Sequence, residues 1–295
     1  MESVVYVSYI VDVKRLVYVR ARRVGSQVPA RQEVARSGVH RWRKGSDGMA
    51  ALTSRIAPVR FEDRPETAWD AAAPAWTRAV REVRDPARAV AEDTLVRLVR
   101  QVPTGPILDA GCGEGWFERA LVGHRDAVTA FDGSREMLSL ARAAAPDAAD
   151  YRDLTFDEAV ADPRRLGGAF GTIVFNFSLL EERITPILEA VAATLFPYGR
   201  VFIQAAHPSM TDAAGGTYRD GWRTLAEAAP GVPLEPGVPW YFRTFSRWIL
   251  ELRRAGLLLV ETFEPLHPQT GRPVSLIIHA TIPERRKREV QGRFR

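Results

Sequence analysis

A single cysteine, Cys112, stands in 295 residues, so an intrachain disulfide and a Cys-rich zinc site are both excluded. The five histidines (40, 124, 207, 267 and 279) do not cluster at ligand spacing, and no metal is expected. No apolar run approaches the roughly 20 residues that a membrane span requires. The apolar run from Val4 to Val13 is broken by Ser8 and Asp12, with no cleavage site behind it, which is not the layout of a signal peptide. A cytoplasmic protein with no membrane partner is the expectation. Lysine is missing altogether between Lys44 and Lys287, an absence that matters for the loop described below.

What is present is enough apolar residue, 46% of the chain, to bury one large core or two small ones. The formal charge of +5 would ordinarily point to nucleic acid or a membrane surface. Its distribution argues otherwise. Residues 1–48 hold ten Lys/Arg against four Asp/Glu, and residues 284–295 hold six against two. The body between them is therefore mildly acidic, and the basic ends read as solvated tails. Three divisions follow: a basic N-terminal extension over 1–48, a single domain over 49–283, and a basic tail over 284–295. Met49-Ala50-Ala51 reads as an alternative natural start, with an accessory arm as the other reading of 1–48.

The most informative run is Ile107-Leu108-Asp109-Ala110-Gly111-Cys112-Gly113-Glu114-Gly115-Trp116-Phe117. It reads as a short apolar strand, an acid, three alternate glycines and a helix start. Glycines here permit a sharp turn and close approach of backbone to a ligand at a helix N-terminus. A phosphate-binding P-loop would need Gly-Lys-Ser/Thr, and no lysine is available. A dinucleotide fingerprint would need G-x-G-x-x-G, whereas the spacing is G-x-G-x-G and Trp116 occupies the place of the third glycine. The next strand, Ala127 to Phe131, ends at Asp132-Gly133-Ser134, one helix plus one strand further on. A carboxylate there can accept hydrogen bonds from both hydroxyls of a ribose.

Asp109-Ala-Gly-Cys-Gly-Glu-Gly resembles the first motif of class I S-adenosylmethionine-dependent methyltransferases. Asp132, with Ser134 and Met137, resembles the second. The resemblance runs from about Ala68 to Ile282. It implies S-adenosylmethionine as methyl donor and an α/β, Rossmann-like, doubly wound sheet of seven strands. The implied order is 3-2-1-4-5-7-6, the last strand antiparallel; the residue pattern adds an N-terminal helical cap and a lid inserted after the fifth strand. It also implies a set of donor-binding residues: Asp109, Gly111, Gly113, Gly115, Asp132, Gly133, Met137, Thr155 and Asn176. Asp109 would help to hold the methionine amino group, Thr155 would lie near the adenine, and Asn176 to Leu179 would pass the sulfonium. Two features depart from the family. Phe170-Gly171-Thr172-Ile173 lacks the frequent Asp of the fourth strand. Asn176-Phe177-Ser178-Leu179 lacks the prolines of enzymes that modify adenine or glutamine, which argues against a nucleic-acid acceptor.

The rest of the pattern agrees. Trp69, Ala72, Ala73, Trp76 and Val80 recur at helical spacing, and a second helix follows over Val90 to Val99. Strands are predicted at 106–110, 127–131, 149–154, 171–177, 199–206, 257–263 and 274–282, with helices at 114–122, 134–145, 156–163, 182–196 and 244–256. Such alternation argues a parallel sheet covered on both faces. The stretch Ser209 to Pro239, rich in proline and glycine, reads as an irregular connection: a lid over 209–243, or a loose surface loop. His207, at a strand end, is the candidate general base, with a turn-shaping role as the alternative. Trp69, Tyr218, Asp220, Trp222 and Tyr241 are candidates for an acceptor pocket, with helix packing the other reading of Trp69 and of Trp76. The expected function is transfer of a methyl group to an O, N or C nucleophile of a small molecule. The rivals are a nucleic-acid or protein methyltransferase that uses the basic ends, and a non-catalytic binding module. Neither the acceptor nor the oligomeric state is legible.

Overall fold

The computed structural model describes residues 6–10, 18–22, 65–83, 85–102, 105–124, 126–209, 217–229 and 232–283. Most of the two basic ends, and the Met49 start, lie outside the described residues. Within residues 1–48, β1 (Tyr6–Ile10) and β2 (Tyr18–Arg22) pair antiparallel.

Seven strands form the main sheet: β3 (Ile107–Ala110), β4 (Val128–Asp132), β5 (Asp150–Asp153), β6 (Phe170–Asn176), β7 (Leu195–Ala205), β10 (Leu258–Phe263) and β11 (Leu276–Thr281). Their spatial order is β10-β11-β7-β6-β3-β4-β5. Numbered within the sheet and read from the β5 edge, this is 3-2-1-4-5-7-6, as expected. β3 pairs parallel with β4 and β6, while β11 pairs antiparallel with both β7 and β10. The central strands are buried on both faces, which is why β3 and β6 read as continuous apolar runs rather than alternating ones. The order in which successive strands are added reverses between the parallel neighbours β3 and β6, and a crevice opens beyond their carboxyl ends.

The helices begin where side-chain caps dictate. Asp85 accepts from Ala87 N at 2.9 Å to start α2 (Pro86–Arg100), with Pro86 in its first turn, where no N–H partner is needed. Ser134 accepts from Met137 N to start α4 (Arg135–Ala144). α3 (Trp116–Ala120), α5 (Phe156–Ala161), α6 (Thr185–Thr194) and α7 (Phe245–Arg254) complete the layers on the sheet. β7 starts at Leu195, earlier than the sequence predicts, because Leu195 pairs with Phe170.

Two elements close the crevice. α1 (Pro65–Glu82) is tied to the sheet domain at both ends: Ser134 Oγ donates to Asp70 Oδ1 at 2.6 Å, and Arg81 Nε donates to Glu114 Oε2 at 2.8 Å. The segment expected to be irregular holds instead a hairpin, β8 (Gly221–Ala229) and β9 (Val232–Phe242). Prolines 233, 236 and 239 all lie in β9. A two-stranded ribbon leaves one edge of each strand unpaired, so their missing donors are tolerated. Ala228, Leu234 and Val238 pack with Ala72 and Ala79 of α1, forming a small second core above the crevice.

Candidate active site

The three glycines of the loop all have positive φ, and each is a glycine for a different reason. A Cβ on Gly111 would stand 2.4 Å from Ser178 Cβ, so the loop after β6 forbids it. A Cβ on Gly115 would meet Ala141 Cβ at 2.9 Å, so α4 forbids it. A Cβ on Gly113 would meet nothing within 4 Å; its backbone borders open space. Asp132 braces this loop: Oδ2 accepts from Gly113 N and Oδ1 from Ser134 N, each at 2.8 Å.

Beneath the loop, Asp109 is 1% exposed and Glu118 fully buried. No N–H or hydroxyl reaches Asp109 Oδ1 or either Glu118 oxygen, and the two carboxyls lie beside each other. Burial pushes both upward, Asp109 well above the usual carboxylate range and Glu118 from 4.5 to about 7. Cys112 is buried in the same loop, and burial raises its thiol too. It is a small apolar spacer rather than a nucleophile.

A cavity of about 430 Å³ begins at this loop and runs under the hairpin. Asp109, Gly111, Gly113, Asp132, Gly133, Met137 and Asn176 line it, and so do Trp69 and Tyr241. Trp69 and Trp76 both pack on the hairpin core and face the cavity, edge to face at 5.3 Å, so the packing and pocket readings of these residues coexist. Phe177 lines the cavity from the end of β6 with φ of 51°, the one described non-glycine residue with positive φ. The hydrogen bond of Phe177 N to Gln204 O at 2.8 Å supports that conformation, which costs roughly 1–3 kcal/mol.

The other candidates stand elsewhere. Thr155 caps α5 in a reciprocal box with Glu158 and does not line the cavity; Phe156, the next residue, does. Gly115 serves the packing of α3 on α4. His207 is turned away: Ser209 N donates to Nδ1 at 3.1 Å, and Nε2 lies 3.0 Å from Glu264 Oε1. With Nδ1 accepting, Nε2 carries the proton toward Glu264, and no ring nitrogen remains for an acceptor molecule. Tyr218 Oη accepts from Phe245 N, and Asp220 Oδ1 accepts from Thr244 N at 2.7 Å, so both fasten the start of α7. Trp222 is 42% exposed, beside Tyr241 but outside the cavity. Sequence reasoning passed over Arg88, Glu92, Gln204 and Arg243, which line the cavity. Asp85, Arg88 and Glu92 recur at helical spacing on α2, the one signal that could have found two of them.

Residues 107–199 match the model of the methyltransferase domain family. This stretch, about a third of the chain, is similar to a methyltransferase domain. The biotin biosynthesis bifunctional protein BioHC of Cellvibrio japonicus is 31% identical over 125 residues, 41% of this chain; the match spans 24% of that relative's length. Among solved structures, the CcbJ methyltransferase of Streptomyces caelestis superposes with a TM-score of 0.54 at 15% identity, over 75% of this chain and 99% of that one. A Listeria monocytogenes protein assigned as an S-adenosylmethionine-dependent methyltransferase gives 0.53 at 21% identity, over 68% and 100%. At these identities the likeness establishes the fold. S-adenosylmethionine is the methyl donor of this class, and the residues of the methyltransferase domain fit it. Gly113 leaves space beside its backbone, Asp132 stands at the cavity wall at the end of β4, and Asp109 lines the same wall from the end of β3. Among the described residues no cluster could hold a metal, and no helix is long and apolar enough to cross a membrane.

Proposed function

We propose that this chain transfers a methyl group from S-adenosylmethionine to a small-molecule acceptor. The observation that carries this reading is the continuity of one cavity from the glycine loop to an aromatic end roofed by α1 and the β8–β9 hairpin. Asp132 would hold the ribose, Gly113 would let the backbone approach the donor, and Phe156 and Met137 would flank the adenine. The loop 176–179 would border the sulfonium. The donor supplies an already activated methyl group. The protein's part is to orient an acceptor in line with it and to exclude water, which the roof serves. An acceptor of modest size suits a roofed cavity of this volume. A nucleic-acid acceptor suits it poorly, since carboxylates outnumber guanidinium groups along the wall and would repel phosphate.

Calorimetry with S-adenosylhomocysteine, followed by a screen of metabolite extracts for transfer of isotopically labelled methyl, tests the reading. Binding in the micromolar range and a labelled small product are expected. Label appearing in RNA or protein instead would replace the acceptor class; binding without any transfer would favour a non-catalytic module. Asp132→Ala should weaken S-adenosylhomocysteine about tenfold to a hundredfold, the loss of charge-assisted hydrogen bonds worth roughly 1.5–3 kcal/mol. Unchanged affinity would place the ribose elsewhere.

A further inference from the structure

The wall of the cavity carries seven carboxyl side chains against two guanidinium groups, and neither lysine nor histidine. Each guanidinium already donates to backbone carbonyls. Arg243 is 2% exposed; its Nη1 and Nη2 donate to the carbonyls of Leu179, Tyr241 and Glu181, and its Nε is shut away. Arg88 donates Nη2 to Ala228 O at 2.8 Å, and its Nη1 is likewise enclosed.

Most of the carboxyls are engaged as well. Asp85 caps α2, Glu114 holds Arg81 and Arg119, Asp132 braces the glycine loop, and Asp109 is paired with Glu118. Glu181 has a partner of its own, and Glu227 is exposed on β8. Glu92 differs. It is half-buried on the cavity face of α2 and makes no hydrogen bond or ion pair among the described residues. Arg88 and Asp85 face it from α2 and its cap, Glu114 from the glycine loop, and Arg119 from α3. Burial outweighs the two cations and raises its carboxyl from 4.5 to about 7. Gln204 Nε2, at the end of β7, bonds the carbonyl of the preceding residue, Ala91, which sets Glu92 over the strand ends. Aromatic rings line the same cavity: Trp69 and Trp76 from α1, the Trp76 ring 5.6 Å from Arg88 one turn before Glu92, and Trp240 and Tyr241 from β9.

We propose that the acceptor end of the cavity is a site for a protonated amine on an apolar or aromatic body, with the Glu92 carboxylate as its counter-ion. This rests on the methyltransferase reading above. An ammonium group gains from an unpaired carboxylate in a half-buried setting and from the faces of Trp and Tyr rings. A carboxylate or phosphate would face seven carboxyls against two guanidinium groups that already donate to backbone carbonyls. In transfer the ammonium gives one proton to Glu92, and the freed nitrogen lone pair forms the N–C bond. The electron pair of the breaking C–S bond stays on sulfur, which ends as a neutral thioether, and Glu92 passes its proton to water.

The test uses the full chain saturated with S-adenosylhomocysteine and titrated calorimetrically with 2-phenylethylamine, 2-phenylethanol and phenylacetate at pH 8. The amine should bind about tenfold or more tighter than the alcohol, and phenylacetate weakest. At pH 6 the amine should bind about tenfold more weakly, because Glu92 takes up a proton near pH 7 while the amine stays charged. Glu92→Gln should abolish the preference and the pH dependence while leaving S-adenosylhomocysteine affinity unaltered. No amine binding, equal binding of amine and alcohol, preference for phenylacetate, or an unchanged preference in Glu92→Gln overturns the proposal. Lost S-adenosylhomocysteine affinity in that variant also overturns it, by assigning Glu92 to the donor. Failure of the unmodified chain to bind S-adenosylhomocysteine would instead strike the methyltransferase reading itself, and this site with it.

Discussion

Two glycines two residues apart, alike in φ and in sequence context, answer to different neighbours. Gly111→Ala must push Ser178 away from the carbonyl of Ala110, to which Ser178 Oγ donates at 2.6 Å. The expected outcome is a thermal midpoint lowered by the equivalent of about 2–4 kcal/mol, the sum of a positive-φ penalty and a core clash. Gly113→Ala meets no atom, so its stability cost is the roughly 1–2 kcal/mol of left-handed backbone alone. Its affinity for S-adenosylhomocysteine should fall far more than that of Gly111→Ala measured below its melting point. Calorimetry and thermal denaturation on the pair separate the two effects. The buried acid pair gives a second residue-scale expectation. Glu118 binds its proton more tightly in the fold, near pH 7, than in the unfolded chain, near 4.5. The stability this contributes is full below pH 4.5 and lost as pH rises through 7. Glu118→Gln should therefore raise the melting temperature at pH 8, by the equivalent of about 1–3 kcal/mol, and change it little at pH 4.5. A larger gain at acid pH than at pH 8 would show that no such proton is held.

At the scale of elements, α5 shows how a cap can be taken for a ligand contact. Thr155 stands after β5, where the methyltransferase resemblance implies an adenine contact, yet its hydroxyl accepts from Glu158 N at 3.1 Å and Glu158 returns to Thr155 N at 2.9 Å. Thr155→Ala should cost about 1 kcal/mol of stability and leave S-adenosylhomocysteine affinity unchanged; a clear loss of affinity would restore the adenine role. The strands and helices of the sheet domain were legible because their apolar periods and caps are local. The hairpin was not. Gly221 to Ala229 alternates poorly, β9 carries three prolines, and its register shifts near Leu225 and Glu227. It stands as a ribbon because Leu234 and Val238 find α1, more than 150 residues earlier in the chain. No local pattern encodes such a partner.

Across the whole molecule, charge is divided by position. The basic excess lies in residues 1–48 and 284–295, and the cavity wall is acidic. If a small cation is methylated in that cavity, removing both ends should leave S-adenosylhomocysteine affinity and small-molecule transfer close to those of the full chain. Binding to duplex or single-stranded nucleic acid, measured by fluorescence anisotropy at 150 mM salt, should be weak before truncation and absent after it. Transfer that collapses on truncation would make the ends part of the acceptor site.

The glycine spacing, the acid on the following strand and the alternation of strand and helix were determined by sequence alone, since each follows from backbone sterics and local hydrophobic period. They were sufficient for the fold class and the donor. Side-chain partnership was decided only by tertiary structure. His207 looked poised at a strand end but is held by Ser209 and Glu264, the latter 57 residues away. Glu92 was passed over in the sequence, yet it lines the cavity without a partner among the described residues. Whether a polar group is available for chemistry depends on who else reaches it, and in this chain those neighbours come from distant elements.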